Sequence, residues 1–191
     1  LAGMKVLGTF LPGGNPGGDF PGLMDCARNL LPLVEKGSGW DPAAVGLLLL
    51  LRGAGAEEAE TAARNLNLAG GARDSVKAAP RLPDAVSRAR RAGKPSDLHR
   101  ALSGLPFEAQ LAVLLLAGEE GARKRIVEYL SRDRFARTEL DGDDLVGLGL
   151  PRGPMLKSAL EALLMARMDG VVRTRRQEEE FVRANFKPAD S

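Results

Sequence analysis

The sequence predicts an all-α fold, with a multi-helix, bundle-like body followed by a small helical C-terminal subdomain. Apolar residues recur at helical spacing along most of the 191 residues. No segment alternates polar and apolar residues over more than four positions, as a half-buried strand would. Short loops separate the short apolar-faced segments, which favours antiparallel packing of neighbouring helices.

The first part of the chain combines a loop with two helices. Residues 11–22 hold five Gly and three Pro in twelve positions, so we expect a loop or a disordered insert there. A helix is expected over residues 20–34. Asp41 and Pro42 are typical of a helix cap and first turn, and they open a helix over residues 43–51 that is apolar on every side. Such a helix is expected at the centre of a core.

Six more helices are expected before residue 137, and they define the body. Their predicted bounds are 57–66, 72–79, 82–92, 97–102, 107–117 and 122–131. A break near residues 137–142 separates them from the tail. The predicted organisation is the end of a preceding segment with a flexible loop (1–19), a helical body (20–137) and a helical tail (138–191).

A turn rich in glycine and proline is the most specific binding feature of the tail. It consists of Gly149, Pro151, Arg152, Gly153 and Pro154, and it precedes a helix with Lys157 on its second turn. The first N–H groups of a helix lack intrahelical partners and lie at the positive end of its dipole. With two basic side chains beside them, they favour binding of a phosphate. The alternative is that the turn merely joins two helices.

Basic residues concentrate in the body. Residues 73–137 carry 14 bases and 8 acids, whereas the whole chain has 27 bases and 25 acids. The densest cluster consists of Arg88, Arg90, Arg91, Lys94 and Arg100. A second cluster consists of Arg123, Lys124, Arg125, Arg132, Arg134 and Arg137. Guanidinium groups suit phosphate recognition, although a basic helix face can also be merely solvated. Aromatic residues make up 4% of the chain, so a base-stacking surface is not expected.

No catalytic or metal-binding residue is predicted. The lone Cys26 excludes an internal disulfide and is expected to be a buried thiol, and the lone His99 has no partner ligand. Near the tail, Asp141 is expected to cap a helix rather than bind a cation together with Glu139, Asp143 and Asp144. The run Glu178, Glu179 and Glu180 is expected to pair at i,i+4 with Arg173, Arg175 and Arg176.

A membrane or secretory location is not expected. The longest apolar run, residues 43–51, is far shorter than the about 20 residues of a membrane span. No charged segment followed by an apolar run opens the chain, so the location is expected to be cytoplasmic.

The tail sequence carries a family resemblance. Residues 141–182, DGDDLVGLGLPRGPMLKSALEALLMARMDGVVRTRRQEEEFV, resemble the C-terminal segment of class II tRNA nucleotidyltransferases. These are the CCA-adding enzymes and their poly(A) polymerase relatives, here in their long bacterial form. The matching elements are an acidic G-D-D-L at 142–145, G-P at 153–154 and A-R-x-D-G at 166–170. Residues 94–117 resemble two upstream helices of the family more weakly, and residues 1–16 resemble the end of the segment before the body.

The resemblance implies the body and tail of a larger enzyme without its chemistry. The family's catalytic head has an Asp-x-Asp metal pair after a Gly-rich turn, and its neck has a Glu-Asp-x-x-Arg template; neither pattern occurs in this sequence. Mg²⁺ and ATP or CTP would therefore belong to a head and neck elsewhere in the parent chain. This piece is expected to bring neither cofactor nor catalytic residue. Whether the parent adds CCA, CC, A or poly(A) is left open.

The implied role is to grip tRNA, or other structured RNA, at the acceptor and T arms. The residues expected to contact RNA are Arg88, Arg90, Arg91, Lys94, Arg100, Arg152, Gly153 and Lys157. One alternative is a DNA-binding helix-hairpin-helix, since residues 145–150, LVGLGL, precede a helix. The other is a structural, protein-interacting helical domain that uses residues 43–51.

Overall fold

A computed structural model describes residues 11–15, 19–34 and 39–186. Eleven α-helices occur in these residues: α1 Phe20–Val34, α2 Pro42–Leu50, α3 Ala56–Asn65, α4 Gly70–Lys77, α5 Leu82–Arg91, α6 Pro95–Leu102, α7 Phe107–Leu116, α8 Glu120–Ser131, α9 Gly142–Gly147, α10 Pro154–Met168 and α11 Arg175–Asn185. Single 3-10 turns cover Ala79–Arg81 and Asp133–Phe135. No strand occurs in the described ranges, and the all-α prediction is confirmed.

Helix α1 spans Phe20–Val34 as predicted, so the loop expected over residues 11–22 ends before Phe20. Residues 11–15 form a turn in which Leu11 is buried. The Asn15 amide donates to the Leu50 carbonyl at the end of α2 over 2.9 Å. Most of the stretch predicted to be the end of a preceding segment, residues 1–10 and 16–18, lies outside the described residues.

Contacts between residues divide the chain into two compact units. The first consists of Leu1–Gly93 and Asp97–Ser131, and the second of Lys94–Ser96 and Arg132–Ser191. The predicted domain limits at residues 19 and 137 remain predictions.

Helix α7 is the centre of the first unit. Its neighbours are α1, α2, α4, α5 and α8. The residues from Leu111 to Leu115 are all 0% exposed. The helix expected at the centre, α2, is buried on one side, with Leu48 and Leu49 at 0% exposure, while Ala43 is exposed. Helix α2 has no polar side chain, whereas α7 carries Glu108 and Gln110 near its start, so the apolar pattern favoured α2 and only tertiary packing shows that the others surround α7.

The polar start of α7 connects it to its neighbours. The Glu108 carboxylate accepts a hydrogen bond from the Ser75 hydroxyl on α4 over 2.9 Å. Its other oxygen accepts from the Asp41 amide, at the start of α2, over 3.4 Å. One side chain therefore fixes the positions of two helices against α7.

The second unit has a leucine-rich core of its own between α9, α10 and α11. Its fully buried members include Leu145, Leu163 and Val182. Asp141 caps α9, as expected, by accepting from the Asp143 and Asp144 amides over 2.9 Å each. Asp144 completes a capping box by accepting from the Asp141 amide.

A buried carboxylate holds the two ends of the second unit together. Glu178 is 0% exposed, and one of its oxygens accepts from the amides of Glu139 and Leu140 over 2.9 Å each. Its other oxygen accepts from Arg167 over 2.7 Å, and Arg167 also donates to Glu139 over 3.0 Å. Hydrogen bonding to Glu139 is the main reason why the pKa of the Arg167 guanidinium is raised.

The prediction of i,i+4 pairing was therefore wrong for Glu178. It is right for its two neighbours, since Glu179 pairs with Arg175 over 3.7 Å and Glu180 with Arg176 over 2.9 Å. The sequence already sets Glu178 apart, because the residue four positions before it is Thr174, whereas Arg175 and Arg176 precede Glu179 and Glu180 at that spacing.

The burial of Leu48 predicts that Leu48→Asp abolishes folding of the first unit. An unpaired charge at a fully buried position costs on the order of several kcal/mol. Ala43→Asp is the matched control, because Ala43 is exposed in the first turn of the same helix. Far-UV circular dichroism and size-exclusion chromatography measure the result, and a folded Leu48→Asp protein would contradict the core described above.

The hydrogen bonds of Glu178 predict that Glu178→Gln destabilises the second unit by about 1–3 kcal/mol. The amides of Glu139 and Leu140 and the Arg167 guanidinium would then face a neutral amide in place of a carboxylate. Hydrogen exchange at the Glu139 and Leu140 amides should accelerate. Glu180→Gln on the same helix should change little, since its surface ion pair is worth about 0–1 kcal/mol. Unchanged protection of the two amides in Glu178→Gln would show that the network is dispensable.

Candidate nucleic-acid interface

The turn between α9 and α10 has backbone conformations that glycine favours. Gly149 has φ 96° and Gly153 has φ 132°, and a side chain at either position would be strained. Space around Gly153 is open, with no atom within 4 Å of the position of an added Cβ. The start of α10 is therefore accessible from the side of Gly153.

The amides of this turn fall into two groups. Those of Leu148, Gly149 and Leu150 donate to carbonyls of α9 over 2.9–3.1 Å. Within the described residues, no hydrogen bond is recorded for the amides of Gly153, Met155 and Leu156 at the start of α10. The amides at the start of α10 therefore match the predicted phosphate site. The amides of Leu148, Gly149 and Leu150 are already bonded and cannot donate to a ligand.

Two cations lie beside the start of α10. The Arg152 side chain is 73% exposed, and it forms an ion pair over 2.7 Å with Asp143, which is 81% exposed. Such a pair is weak in water and can exchange for a phosphate. Lys157 is exposed and has no recorded partner in the described part of the chain.

In the first unit, three predicted residues surround one cleft. Arg88 and Arg100 line both of two adjoining depressions of about 230 and 300 Å³, and Arg91 lines the smaller. Arg81, which the sequence prediction omitted, lines the larger. Arg81 lies seven residues before Arg88, which is about two helical turns. Extending the helical pattern of α5 back through Pro83 would therefore have placed Arg81 on the same side as Arg88.

The ion pairs within this arginine cleft are loose. Arg88 lies 3.5 Å from Asp84, and Arg100 lies 3.5 Å from Asp97. Arg88 also donates to the Arg100 carbonyl over 3.1 Å, which ties α5 to α6. Arg91 is exposed, with no partner recorded among the described residues.

The other two members of the predicted cluster lie elsewhere. Arg90 donates from Nε to the Ala117 carbonyl over 2.6 Å and from Nη2 to the Leu116 carbonyl over 2.9 Å. It therefore caps the C-terminal end of α7, and two of its three nitrogens are occupied. Lys94 is exposed in the loop between α5 and α6.

The second basic cluster is also partly structural. Arg123 donates to the Leu115 carbonyl over 3.1 Å, and Arg125 donates to the Arg90 carbonyl over 3.3 Å. Arg134 instead lies over the ring of Phe135, with its Cζ 4.5 Å from the ring centroid. The sequence prediction missed this aromatic contact because it considered only the overall aromatic content.

The acidic residues of the tail serve in caps and ion pairs. Asp144 accepts from Arg175, and this hydrogen bond is the largest cause of a lowered pKa for its carboxyl group. Any stability that this carboxylate contributes is present at neutral pH and decreases as the pH falls through its lowered pKa. Within the described residues, no group of three or more His, Cys, Asp or Glu side chains is placed to hold a metal ion.

The single cysteine and histidine have ordinary surroundings. Cys26 is half-buried rather than fully buried as predicted. His99 forms a hydrogen bond of 3.2 Å between its Nδ1 and the Tyr129 hydroxyl.

None of the described helices is both long enough and apolar enough to span a bilayer.

Comparison with known proteins finds similarity over part of the sequence. No family model matches the chain. The A-adding tRNA nucleotidyltransferase of Geobacter sulfurreducens is 34% identical over 83 residues, which is 44% of this chain and 9% of that relative.

Two solved structures share the fold of almost the whole chain. One is the Thermotoga maritima CCA-adding enzyme complexed with tRNA, with a TM-score of 0.72 and 20% identity. The other is a CCA-adding enzyme in complex with CTP, with a TM-score of 0.74 and 17% identity. Each match covers 97% of this chain, which spans about half of either solved enzyme, 46% and 45%. The chain thus resembles an A-adding tRNA nucleotidyltransferase in part of its sequence and CCA-adding enzymes in its fold, in agreement with the resemblance predicted from the sequence.

Proposed function

We propose that this chain is the tRNA-binding, non-catalytic body and tail of a nucleotidyltransferase that extends RNA 3′ ends. In this proposal the catalytic head and neck of the parent protein supply Mg²⁺ and the ATP or CTP site. The two units described above hold the RNA so that its 3′ end reaches that head. A cytoplasmic location is part of the same proposal, and a poly(A) polymerase remains an alternative parent.

The observation that carries the proposal is the convergence of arginines on the cleft between α5 and α6. The cleft is lined by Arg81, Arg88, Arg91 and Arg100. Arg88 and Arg100 lie 3.5 Å from their carboxylate partners, and within the described residues Arg81 and Arg91 form no ion pair. A guanidinium group binds phosphate through two parallel hydrogen bonds. The relative with the same fold was solved with tRNA, which supports RNA as the source of those phosphates.

The start of α10 adds a second phosphate contact in the proposal. The amides of Gly153, Met155 and Leu156 lie at a helix N-terminus, and Arg152 and Lys157 add positive charge. Contacts of this kind read the backbone and not the bases, as is usual for double-stranded RNA. Arg90 is left out of the proposed surface, because it caps α7.

A helix-hairpin-helix that binds DNA is less well supported. That interpretation requires free amides in the LVGLGL turn, but the amides of Leu148, Gly149 and Leu150 are bonded to α9. A protein-interaction domain built on residues 43–51 is also less well supported. Leu48 and Leu49 are 0% exposed, so a partner could not reach them without unfolding the unit.

The proposed contacts predict the salt dependence of tRNA binding. Arg152→Glu with Lys157→Glu, and separately Arg88→Glu with Arg91→Glu, should each weaken binding. Each should also reduce the slope of log K against log salt by about one unit for every phosphate that the variant no longer neutralises. Fluorescence anisotropy of labelled tRNA from low to physiological salt measures both quantities.

Arg176→Glu with Arg183→Glu is the matched control, since it reverses two exposed charges on α11 outside the proposed surface. Duplex DNA of equal length is the comparison ligand. If the control weakens binding as much as the test variants, only net charge matters and the site assignment fails. Tighter binding of DNA than of tRNA would favour the helix-hairpin-helix.

The proposal also predicts that the isolated 191-residue chain transfers no nucleotides. The head and neck patterns of the family are absent from the sequence, so no group is expected to hold the metal ions. Incubation with tRNA lacking its 3′ end, Mg²⁺ and labelled ATP or CTP tests this, with a no-protein blank. Incorporation above the blank would overturn the non-catalytic assignment.

A further inference from the structure

Phe135 is a surface aromatic that the phosphate contacts do not use. It ends the 3-10 turn Asp133–Phe135, and 53% of its surface is exposed. Two backbone hydrogen bonds fix the turn, from the Phe135 amide to the Arg132 carbonyl over 3.1 Å and from the Ala136 amide to the Asp133 carbonyl over 2.9 Å. The ring therefore projects from a defined turn of the second unit.

Arg134 covers part of this ring. Its Cζ lies 4.5 Å from the ring centroid, which is the distance of a cation–π contact. Phe135 is 53% exposed even with Arg134 against its ring, so part of this aromatic residue remains accessible to a ligand. The pair thus presents an aromatic surface with a positive charge attached to it.

The surroundings of the ring are basic. Residues 132–137, RDRFAR, contain three arginines and one aspartate. Arg132 pairs with Asp133 over 2.7 Å yet is 75% exposed, and Arg137 is exposed with no recorded partner in the described residues. A nucleotide presents a flat base beside a phosphate, so an accessible ring among guanidinium groups complements both of its parts.

We propose that Phe135, with Arg134, is a stacking site for one unpaired nucleobase of the bound RNA. The inference rests on the proposed function, since it requires RNA at the second unit. The base stacks on the accessible part of the ring, and Arg132 and Arg137 lie near enough along the chain to meet the flanking phosphates. A chain with few aromatics cannot offer a stacking surface for many bases, but one ring is sufficient for one base.

The test compares two RNA ligands with equal numbers of phosphates. One is a tRNA minihelix, consisting of the acceptor stem and the T-arm hairpin with its unpaired loop. The other is a fully paired duplex, closed at both ends by non-nucleotide linkers. The variants of the 191-residue chain are Phe135→Leu, which removes the ring, and Phe135→Tyr, which keeps it. Val171→Ala is the control for loss of an exposed apolar side chain, as Val171 is 66% exposed.

Phe135→Leu is expected to weaken minihelix binding by about tenfold, which is in the range of removing one base–aromatic stack. Binding of the closed duplex and the salt slopes should be unchanged, because the substitution removes no charge. Phe135→Tyr and Val171→Ala should bind as the parent does. Circular dichroism melting of each variant verifies the fold.

Either of two results for Phe135→Leu would overturn the stacking site. Phe135→Leu could bind the minihelix as tightly as the parent, or it could weaken minihelix and duplex equally. If Arg88→Glu with Arg91→Glu weakens binding while Phe135→Leu does not, only the stacking site fails and the proposed function stands. If the parent chain binds neither RNA, the proposed function and the stacking site fail together.

Discussion

Burial of the central part of helix α7 organises the first unit. Five helices surround it, and its side chains from Leu111 to Leu115 have no exposed surface. A buried helix still has polar ends that need partners. Glu108 at one end takes donors from α2 and α4, while Arg90 and Arg123 donate to the carbonyls at the other. The same central helix thus determines how the apolar residues pack and where several arginines point.

This constraint separates the basic residues of the body into two kinds. Arg90, Arg123 and Arg125 donate to main-chain carbonyls and therefore help to hold helices in place. Arg88, Arg91 and Arg100 lie around the cleft between α5 and α6. Arg90 is almost adjacent in sequence to Arg88 and Arg91, yet it points away from the cleft that they line, since successive residues of a helix are about 100° apart. A count of positive charge along the chain therefore overstates the charge available to a polyanion.

The sequence was sufficient for the all-α class, for the cap at Asp141 and for the family resemblance. Those features depend on local patterns: apolar spacing, a capping residue and a glycine-proline turn. It was not sufficient to choose α7 over α2 as the central helix, because α2 is the more uniformly apolar of the two and only tertiary packing shows which helix the others surround. It also missed Phe135, since exposure of a single ring is a property of the folded surface. Which of the predicted basic residues contact RNA remains a prediction.

The Glu178 carboxylate has a consequence for the order in which the second unit forms. Its partners, the amides of Glu139 and Leu140, are synthesised 39 and 38 residues earlier. Until α11 has emerged from the ribosome, those amides and Arg167 lack their acceptor, and the leucine core lacks Val182. Residues 139–168 alone therefore have a turn and two helices but no closed core. The second unit is expected to become stable in a single late step of translation, rather than helix by helix.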